Sequence, residues 1–196
     1  VRSVVQTELN AVTDNPNVLP EVDKILSAGN FHAQPIALVL DYLGIALSEL
    51  SNISERRTYQ LISGQRGLPA YLVDSAGLHS GLMIAQYTAA SIVSQNKQLC
   101  TPASVDSIVS SLGQEDHVSM SANAGVKTRD IVNNVWSVLG IEFLTACQAW
   151  SFRKDQMSSQ LNKIYTAFRK EVPTLTFDRI QHDDMVAASR FIRYLT

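Results

Sequence analysis

Two short polar strings hold the side chains of this sequence that are best suited to chemistry. Residues 113–120 read Gly-Gln-Glu-Asp-His-Val-Ser-Met, and residues 29–32 read Gly-Asn-Phe-His. Adjacent carboxylates beside an imidazole can act as general acid or base if an apolar wall removes one of them from water. Both strings fall in irregular segments between long apolar stretches, where polar groups often serve function rather than packing.

Each candidate group also has a purely structural interpretation. Asp116 or Ser119 could cap the following helix by accepting backbone hydrogens, and Phe31 could anchor its own loop. Residues 13–16 read Thr-Asp-Asn-Pro, which is typical of a helix end. Met83 lies in a helical pattern where methionine most often fills a core. Residue types alone leave both interpretations open.

The elements that must position these groups are predicted to be helices, because apolar residues recur at helical spacing and no strand-length run alternates cleanly. The predicted helices cover residues 1–12, 35–63, 81–100, 127–154, 157–171 and 179–195. Irregular segments are predicted at 13–34, 64–77 and 101–125. The first half of the 35–63 helix is apolar nearly all round, which indicates burial on several sides. The sequence therefore predicts an all-α, long-helix bundle.

Composition excludes several function classes. The 196 residues are 45% hydrophobic and 17% charged, with a net charge of -2, which favours neither nucleic acid nor an anionic membrane as partner. The longest apolar stretch, residues 36–47, contains Asp41 and is predicted to be too short to span a bilayer. Two isolated cysteines favour a reducing, cytoplasmic location. Four scattered histidines follow no metal-binding spacing, so no metal site is predicted.

Several motifs in register resemble the histidine/phenylalanine/tyrosine ammonia-lyase family over residues 1–153. They are Asp-Asn-Pro at 14–16, Gly-Asn-Phe-His at 29–32, Ser-Glu-Arg-Arg at 54–57, Gly-Leu-Pro at 67–69 and the run from 101 to 120. Glu115, His32 and Met83 are similar to the histidine-specific members. Members specific for phenylalanine or tyrosine tend to have Asn-Gln-Asp in place of residues 114–116. Phenylalanine-specific members tend to have glutamine in place of His32 and lysine in place of Met83. The 54–57 run is interpreted as salt-bridging structure rather than catalysis.

The resemblance implies elimination of ammonia from L-histidine to give trans-urocanate, with Glu115 as the catalytic carboxylate. It implies five further residues around the substrate and the electrophile: Asn15, Phe31, His32, Met83 and Gln114. Family members make that electrophile, 4-methylideneimidazole-5-one (MIO), from an Ala-Ser-Gly of their own chain. They are homotetramers whose sites are shared between subunits. Residues 1–153 would belong to the central bundle, and 154–196 would form a C-terminal helical extension.

This sequence contains no Ala-Ser-Gly, since residues 27–29 and 75–77 both read Ser-Ala-Gly, and it also lacks the family's Gln-x-x-Tyr-Ser-x-Arg segment. Because the chain starts at Val1 within a helical pattern, we expect it to be the C-terminal portion of a longer subunit and to be inactive alone. Two alternatives remain open. One is a tyrosine or phenylalanine ammonia-lyase or aminomutase of the same family, and the other is a non-catalytic helical assembly protein.

Overall fold

Helices dominate the computed structural model, which describes residues 1–195. The helices are α1 (Arg2–Leu9), α2 (Gln34–Ile62), α3 (Met83–Leu99), α4 (Ser121–Trp150), α5 (Ser159–Glu171) and α6 (His182–Arg193). Each matches one helix predicted from the sequence, with ends that differ by a few residues. The prediction of an all-α fold with long helices is confirmed.

One small β-hairpin was missed by the sequence analysis. Strands β1 (Asn17–Leu19) and β2 (Lys24–Leu26) pair antiparallel, with Asn17 opposite Leu26, around a turn at Pro20–Val22. The expectation that residues 13–34 hold no strand is therefore wrong. Strands of three residues are too short to show the alternation on which a sequence-based assignment depends.

The start of α4 also differs from the sequence prediction. The sequence predicted irregular structure up to residue 125, but the helix begins at Ser121. Asn123 and Gly125 are poor helix formers and disguised this first turn. Burial of Ala124 and Thr128, which are 0% and 5% exposed, outweighs that propensity because tertiary packing supplies most helix stability.

The chain divides into two compact units, each with its own packing. Unit 1 comprises residues 1–47 and 98–131, and unit 2 comprises residues 48–97 and 132–195. Unit 1 has few buried apolar side chains, chiefly Ala37, Ala124 and Ile131. Irregular segments connect its helices, and most of the candidate site residues lie on these segments.

Unit 2 contains two hydrophobic clusters. The first is built around residues of α2, α3, α4 and the 68–73 connection, including Leu72, Val73 and Ile141. The second is centred on Phe168, which is fully buried and meets the rings of Phe143 and Phe191 at centroid distances of 4.8 and 5.3 Å. Edge-to-face geometry of this kind adds to the stabilisation that burial alone provides.

One buried polar side chain of unit 2, Gln148, is fully paired with backbone groups. Gln148, 1% exposed, donates to the carbonyls of Leu72 and Leu175 at 3.1 and 2.9 Å and accepts from the Leu175 amide at 3.0 Å. Gly140 lets α6 approach α4, because a Cβ there would lie 2.7 Å from the backbone of Ser189. These contacts fix the C-terminal helices on α4.

The segment Gly29–Ile62 is long and apolar enough, by length and composition, to cross a membrane. This segment is longer than the apolar stretch at residues 36–47, on which the expectation from the sequence rested. Two acidic side chains inside it, Asp41 and Glu55, are buried in the protein and pair with Lys127 and Arg56. Core helices of large bundles meet the same criterion, and the burial of the Asp41 and Glu55 carboxylates against protein favours a helix packed in protein over one that faces lipid.

Candidate active site

Asn15 joins the end of the first helical segment to the segment that precedes Phe31. Its Oδ1 accepts hydrogen bonds from the Ser27 hydroxyl at 2.9 Å and the Ala28 amide at 3.1 Å. Asn30 reinforces this junction by donating from Nδ2 to the carbonyl of Val12. The Asp-Asn-Pro motif therefore does more than stop a helix, because its amide oxygen organises a second loop.

Phe31 ends a tight turn at Gly29–Phe31 and points its ring outward. The residue is 54% exposed, and it lines a groove of about 450 Å³ together with His32, Ile36 and Leu40. A hydrophobic anchor should be buried against its own chain. The exposure of Phe31 in this chain favours a role in contacting something other than unit 1 itself.

His32 lies next to the Gln-Glu-Asp-His string. Its Nε2 is 3.0 Å from the carbonyl oxygen of His117, and the two imidazole rings stack with centroids 5.5 Å apart and an interplanar angle of 5°. The two polar strings of the sequence therefore meet at this point, although 85 positions separate the residues that join them. His117 was not among the predicted site residues.

Glu115 is half-buried in a closed loop formed by residues 110–115. The backbone amide of Ser110 donates to the Glu115 carbonyl at 2.9 Å, and the Ser110 hydroxyl donates to the carboxylate at 3.1 Å. Hydrogen bonds from the Ser111 and Ser110 hydroxyls lower the pKa of Glu115. Both hydroxyls stabilise the charged form of the carboxylate, which suits a hydrogen-bond acceptor.

The loop that carries Glu115 has an unusual backbone. Ser111, Leu112 and Gly113 all have positive φ, at 51°, 56° and 90°. This conformation exposes the Leu112 side chain and leaves Gln114 on the surface beside Glu115. Gly113 is the residue whose type predicts such a turn, since glycine adopts positive φ without steric cost.

Helix capping explains only part of the Gln-Glu-Asp-His segment. The Ser119 hydroxyl accepts from the Ser121 amide at 3.4 Å, at the start of α4. Asp116 has no hydrogen bond within the described residues. The alternative that this segment merely caps α4 accounts for Ser119 but not for the hydrogen bonds at Glu115.

Asp41, on α2, holds the irregular segment around Ser104, which precedes the Glu115 loop in the sequence. It accepts from the Ser104 amide at 2.8 Å and pairs with Lys127 at 3.4 Å. Burial acts to raise its pKa, but the hydrogen bonds from Ser104 and Ala103 and the charge of Lys127 bring the pKa below its ordinary value. The carboxylate therefore anchors the backbone at Ala103 and Ser104.

Met83 lies in unit 2, whereas the other five predicted site residues lie in unit 1. It is the first residue of α3 and lines a cavity of about 300 Å³ with Tyr59, Tyr71 and Tyr87. Gln86, three residues later on α3, also lines this cavity. Met83 is half-buried and faces a cavity, so it is not a simple core residue.

The start of α3 is fixed by backbone contacts. Asp178 accepts from the amides of Ser80 and Gly81, each at 2.9 Å, and these hydrogen bonds lower its pKa. Gly81 has a φ of 53°, and a Cβ there would lie 2.3 Å from the Tyr71 carbonyl oxygen. The position of Met83 therefore depends on a site where only glycine fits.

The charged run at 54–57 forms ion pairs, as the sequence analysis expected. Glu55 is 1% exposed, pairs with Arg56 and accepts from Gln86 Nε2 at 2.6 Å. Arg57 pairs with Glu142, which raises the pKa of the arginine. Glu55 also holds Gln86 at the edge of the Met83 cavity, a link that the sequence pattern did not suggest.

Sequence reasoning missed Ser110, Ser111 and His117 as parts of the site. A pair of serines just before a glycine turn is a weak signal for carboxylate binding, because serine is common in every loop. Within residues 1–195, no group of three or more histidine, cysteine, aspartate or glutamate side chains is arranged to hold a metal ion.

Comparison with known proteins places this geometry in a family. The family model described as aromatic amino acid lyase matches residues 1–170. A histidine ammonia-lyase of Treponema denticola is 51% identical over 98% of this chain and 38% of its own length. The crystal structure of histidine ammonia-lyase from Trypanosoma cruzi superposes with a TM-score of 0.93 at 43% identity, covering 97% of this chain and 38% of that one.

A tyrosine aminomutase from Streptomyces globisporus has nearly the same fold, with a TM-score of 0.92 at 35% identity over 98% of this chain and 38% of its own. This chain thus spans about 38% of the length of the relatives that it matches. The match of the family model over residues 1–170, together with the shared fold, shows that the chain belongs to the aromatic amino acid lyase family.

Proposed function

We propose that this chain forms the C-terminal portion of a histidine ammonia-lyase subunit, which converts L-histidine to trans-urocanate and ammonia. The observation that carries the proposal is Glu115. Its carboxylate accepts a hydrogen bond from the Ser110 hydroxyl at 3.1 Å, and it lies two residues from the carbonyl that His32 contacts. An ionised carboxylate is a suitable acceptor for an imidazole N–H, which phenylalanine and tyrosine do not have.

The reaction breaks a C–H bond at the β-carbon and the C–N bond at the α-carbon, and a carbon–carbon double bond forms. The Glu115 carboxylate would hold the substrate imidazole and accept a proton. Gln114 would support Glu115, Phe31 would pack beside the substrate ring and His32 would lie in the same pocket wall. Met83 would border its distal end.

Asn15 fits a role beside an electrophile with a carbonyl oxygen. Its Oδ1 is occupied by Ser27 and Ala28, while its Nδ2 donates to nothing within the described residues. The group that the family uses, MIO, supplies electrophilic activation of the substrate. We propose that it is made from an Ala-Ser-Gly elsewhere in the subunit and that Asn15 helps to hold it.

The proposal includes a cytoplasmic homotetramer in which other subunits complete each site. Phe31 and many other apolar side chains of unit 1 are exposed in this chain, including Leu9, Val18, Ile25 and Tyr42. Exposed apolar surface of this extent favours coverage by other protein surfaces. Residues 154–196 would be a C-terminal extension packed on the bundle of residues 1–153. No nucleic acid or membrane partner is part of the proposal.

The test uses the complete subunit, meaning this chain within a protein of the relatives' length. It is incubated separately with L-histidine, L-tyrosine and L-phenylalanine, and any unsaturated acid is identified by mass spectrometry. The proposal expects urocanate from histidine alone. The chain of 196 residues by itself serves as the control and should give no product, and turnover by it would contradict the division of the site proposed above.

Two other functions are distinguished by the same assay. The fold shared with a tyrosine aminomutase supports a tyrosine or phenylalanine lyase or aminomutase, for which coumarate, cinnamate or a β-amino acid would be the product. A non-catalytic helical assembly protein would give no product from any of the three amino acids.

A further inference from the structure

We propose that His32 is a positioning residue, which joins the Phe31 segment to the Glu115 segment through the backbone carbonyl of His117, and that it does not itself touch the substrate. This inference rests on the proposed function for its kinetic test. We call the contact between His32 and His117 the histidine clasp. It replaces the place in the pocket wall that family resemblance suggests for His32 and that the proposed function gives it.

The geometry commits the His32 ring to this contact. Its Nε2 lies 3.0 Å from the His117 carbonyl oxygen. A carbonyl oxygen only accepts, so Nε2 must carry the hydrogen. The two rings also stack, with centroids 5.5 Å apart and an interplanar angle of 5°, which favours the same orientation of the imidazole. A side chain held at both its edge and its face has little freedom to turn toward a ligand.

The clasp has no substitute nearby. Among the residues described, it is the only hydrogen bond that joins residues 29–32 to residues 113–118. Asn30 bonds to Val12, and the Glu115 loop closes on Ser110. Each loop is thus well organised internally, while the relation between the two loops depends on His32 and His117.

A second hydrogen bond connects the same parts of the chain farther from Phe31 and Glu115 in the sequence. Gln34, at the start of α2, donates to the Ser104 carbonyl at 3.0 Å. Ser104 is in turn held by Asp41. This hydrogen bond also connects the two segments, but Ser104 lies 11 residues from Glu115 in the sequence. The clasp holds the ends that carry Phe31 and Glu115.

Loss of the clasp should affect turnover more than substrate binding. The relative position of an aromatic wall and a proton-accepting carboxylate matters most in the transition state, where only correctly placed groups contribute. A displacement of about 1 Å in such groups can lower the rate by about 100-fold. Substrate affinity depends on many contacts and should change less.

Three substitutions of His32 in the complete subunit separate the two components of the clasp. His32→Ala removes both the donor and the ring, and we expect kcat for L-histidine to fall by about 10- to 100-fold with a smaller change in KM. His32→Phe keeps a ring for stacking but has no donor, and should be intermediate. His32→Gln restores an N–H donor and should recover activity to within about threefold of the unchanged enzyme.

His117→Ala provides the matched control, since it removes the stacked ring but leaves the carbonyl that accepts the hydrogen bond. The clasp predicts a partial loss of kcat, and a double variant with His32→Ala that is no worse than His32→Ala alone. A direct substrate contact by His32 predicts a neutral His117→Ala and a rise in KM for His32→Ala. That pattern, or losses that multiply in the double variant, would overturn the proposal.

A crystallographic readout separates failure of the clasp from failure of the proposed function. If the unchanged complete subunit does not convert L-histidine, the proposed function fails, but the clasp still predicts a structural change. The Phe31 and Glu115 segments should shift apart in His32→Phe and keep their positions in His32→Gln. Segments that stay in place in His32→Phe, in a protein that folds and assembles normally, would overturn the clasp whatever the substrate.

Discussion

Units 1 and 2 differ in how many apolar side chains they bury. Unit 2 buries two hydrophobic clusters around residues such as Leu72 and Phe168. Unit 1 instead exposes large apolar side chains on irregular segments, among them Val105, Val109 and Leu112. The difference indicates that unit 2 carries much of the chain's own stability, whereas unit 1 presents apolar surface that the proposed tetramer would cover.

Polar groups follow the same division. In unit 2, buried Gln148 is fully satisfied by backbone groups and serves packing. In unit 1, hydrogen bonds connect loop to loop and leave functional atoms free, as at Asn15 and Glu115. Substitutions in the loops of unit 1 should therefore reduce mainly activity, and substitutions in the hydrophobic clusters of unit 2 should reduce mainly stability.

The largest expected effect is on turnover, from Glu115→Gln in the complete subunit. The amide cannot accept a proton at neutral pH, so kcat should fall by about 100- to 10,000-fold. The unfolding temperature should stay the same, because Glu115 contacts only its own loop. Asp116→Asn is the control, since Asp116 is exposed and should tolerate the change. Near-normal turnover of Glu115→Gln would remove Glu115 from the mechanism.

The largest effect on stability should come from Phe168→Ala. Loss of a fully buried ring that meets Phe143 and Phe191 should lower the free energy of unfolding by about 3–5 kcal/mol. Activity per folded molecule should be retained, which denaturant unfolding and a kinetic assay on the same preparation would show. Leu161→Ala on the exposed face of α5 is the control. A stable Phe168→Ala with impaired turnover would reverse the assignment of roles to the two units.

Gln148→Leu should have a smaller effect on stability. It would orphan two carbonyls and one amide in the core of unit 2, at a cost of about 3 kcal/mol. Gln160→Leu, on the exposed side of α5, is the matched control and should change the free energy of unfolding little. Equal stability of the two variants would mean that the Gln148 hydrogen bonds contribute nothing net.

The smallest effect should be a displacement of the pH profile in Ser110→Ala/Ser111→Ala. The two hydroxyls lower the pKa of Glu115, so their removal should raise it. Because the ionised carboxylate is the active form, the acidic limb of kcat/KM should move to higher pH. Ser119→Ala, in the same segment but bonded to Ser121, should leave the limb in place. An unmoved limb in the double variant would mean that these hydroxyls do not tune Glu115.

The sequence was sufficient for the helices but not for the contacts between loops. Helix α2 was predicted at 35–63 and observed at Gln34–Ile62, because its apolar run and the flanking Pro35 and Gly64 are local signals. The hydrogen bond between His32 and His117 joins positions 85 residues apart, and no local pattern encodes such a pairing.

Backbone conformation limited the site prediction in the same way. Gln114 and Glu115 were identified as candidates by resemblance, but the turn that presents them depends on positive φ at Ser111 and Leu112. Such angles are uncommon outside glycine and are stabilised here by contacts around the loop. The serines that lower the pKa of Glu115 could therefore be found only in three dimensions.

The most direct test of the account is a crystal structure of the complete subunit with trans-urocanate bound. We expect the imidazole of the ligand to lie against the Phe31 ring and within hydrogen-bond distance of the Glu115 carboxylate, with His32 still bonded to the His117 carbonyl. A ligand that binds without touching Phe31 or Glu115 would contradict the placement of the active site in the loops of unit 1.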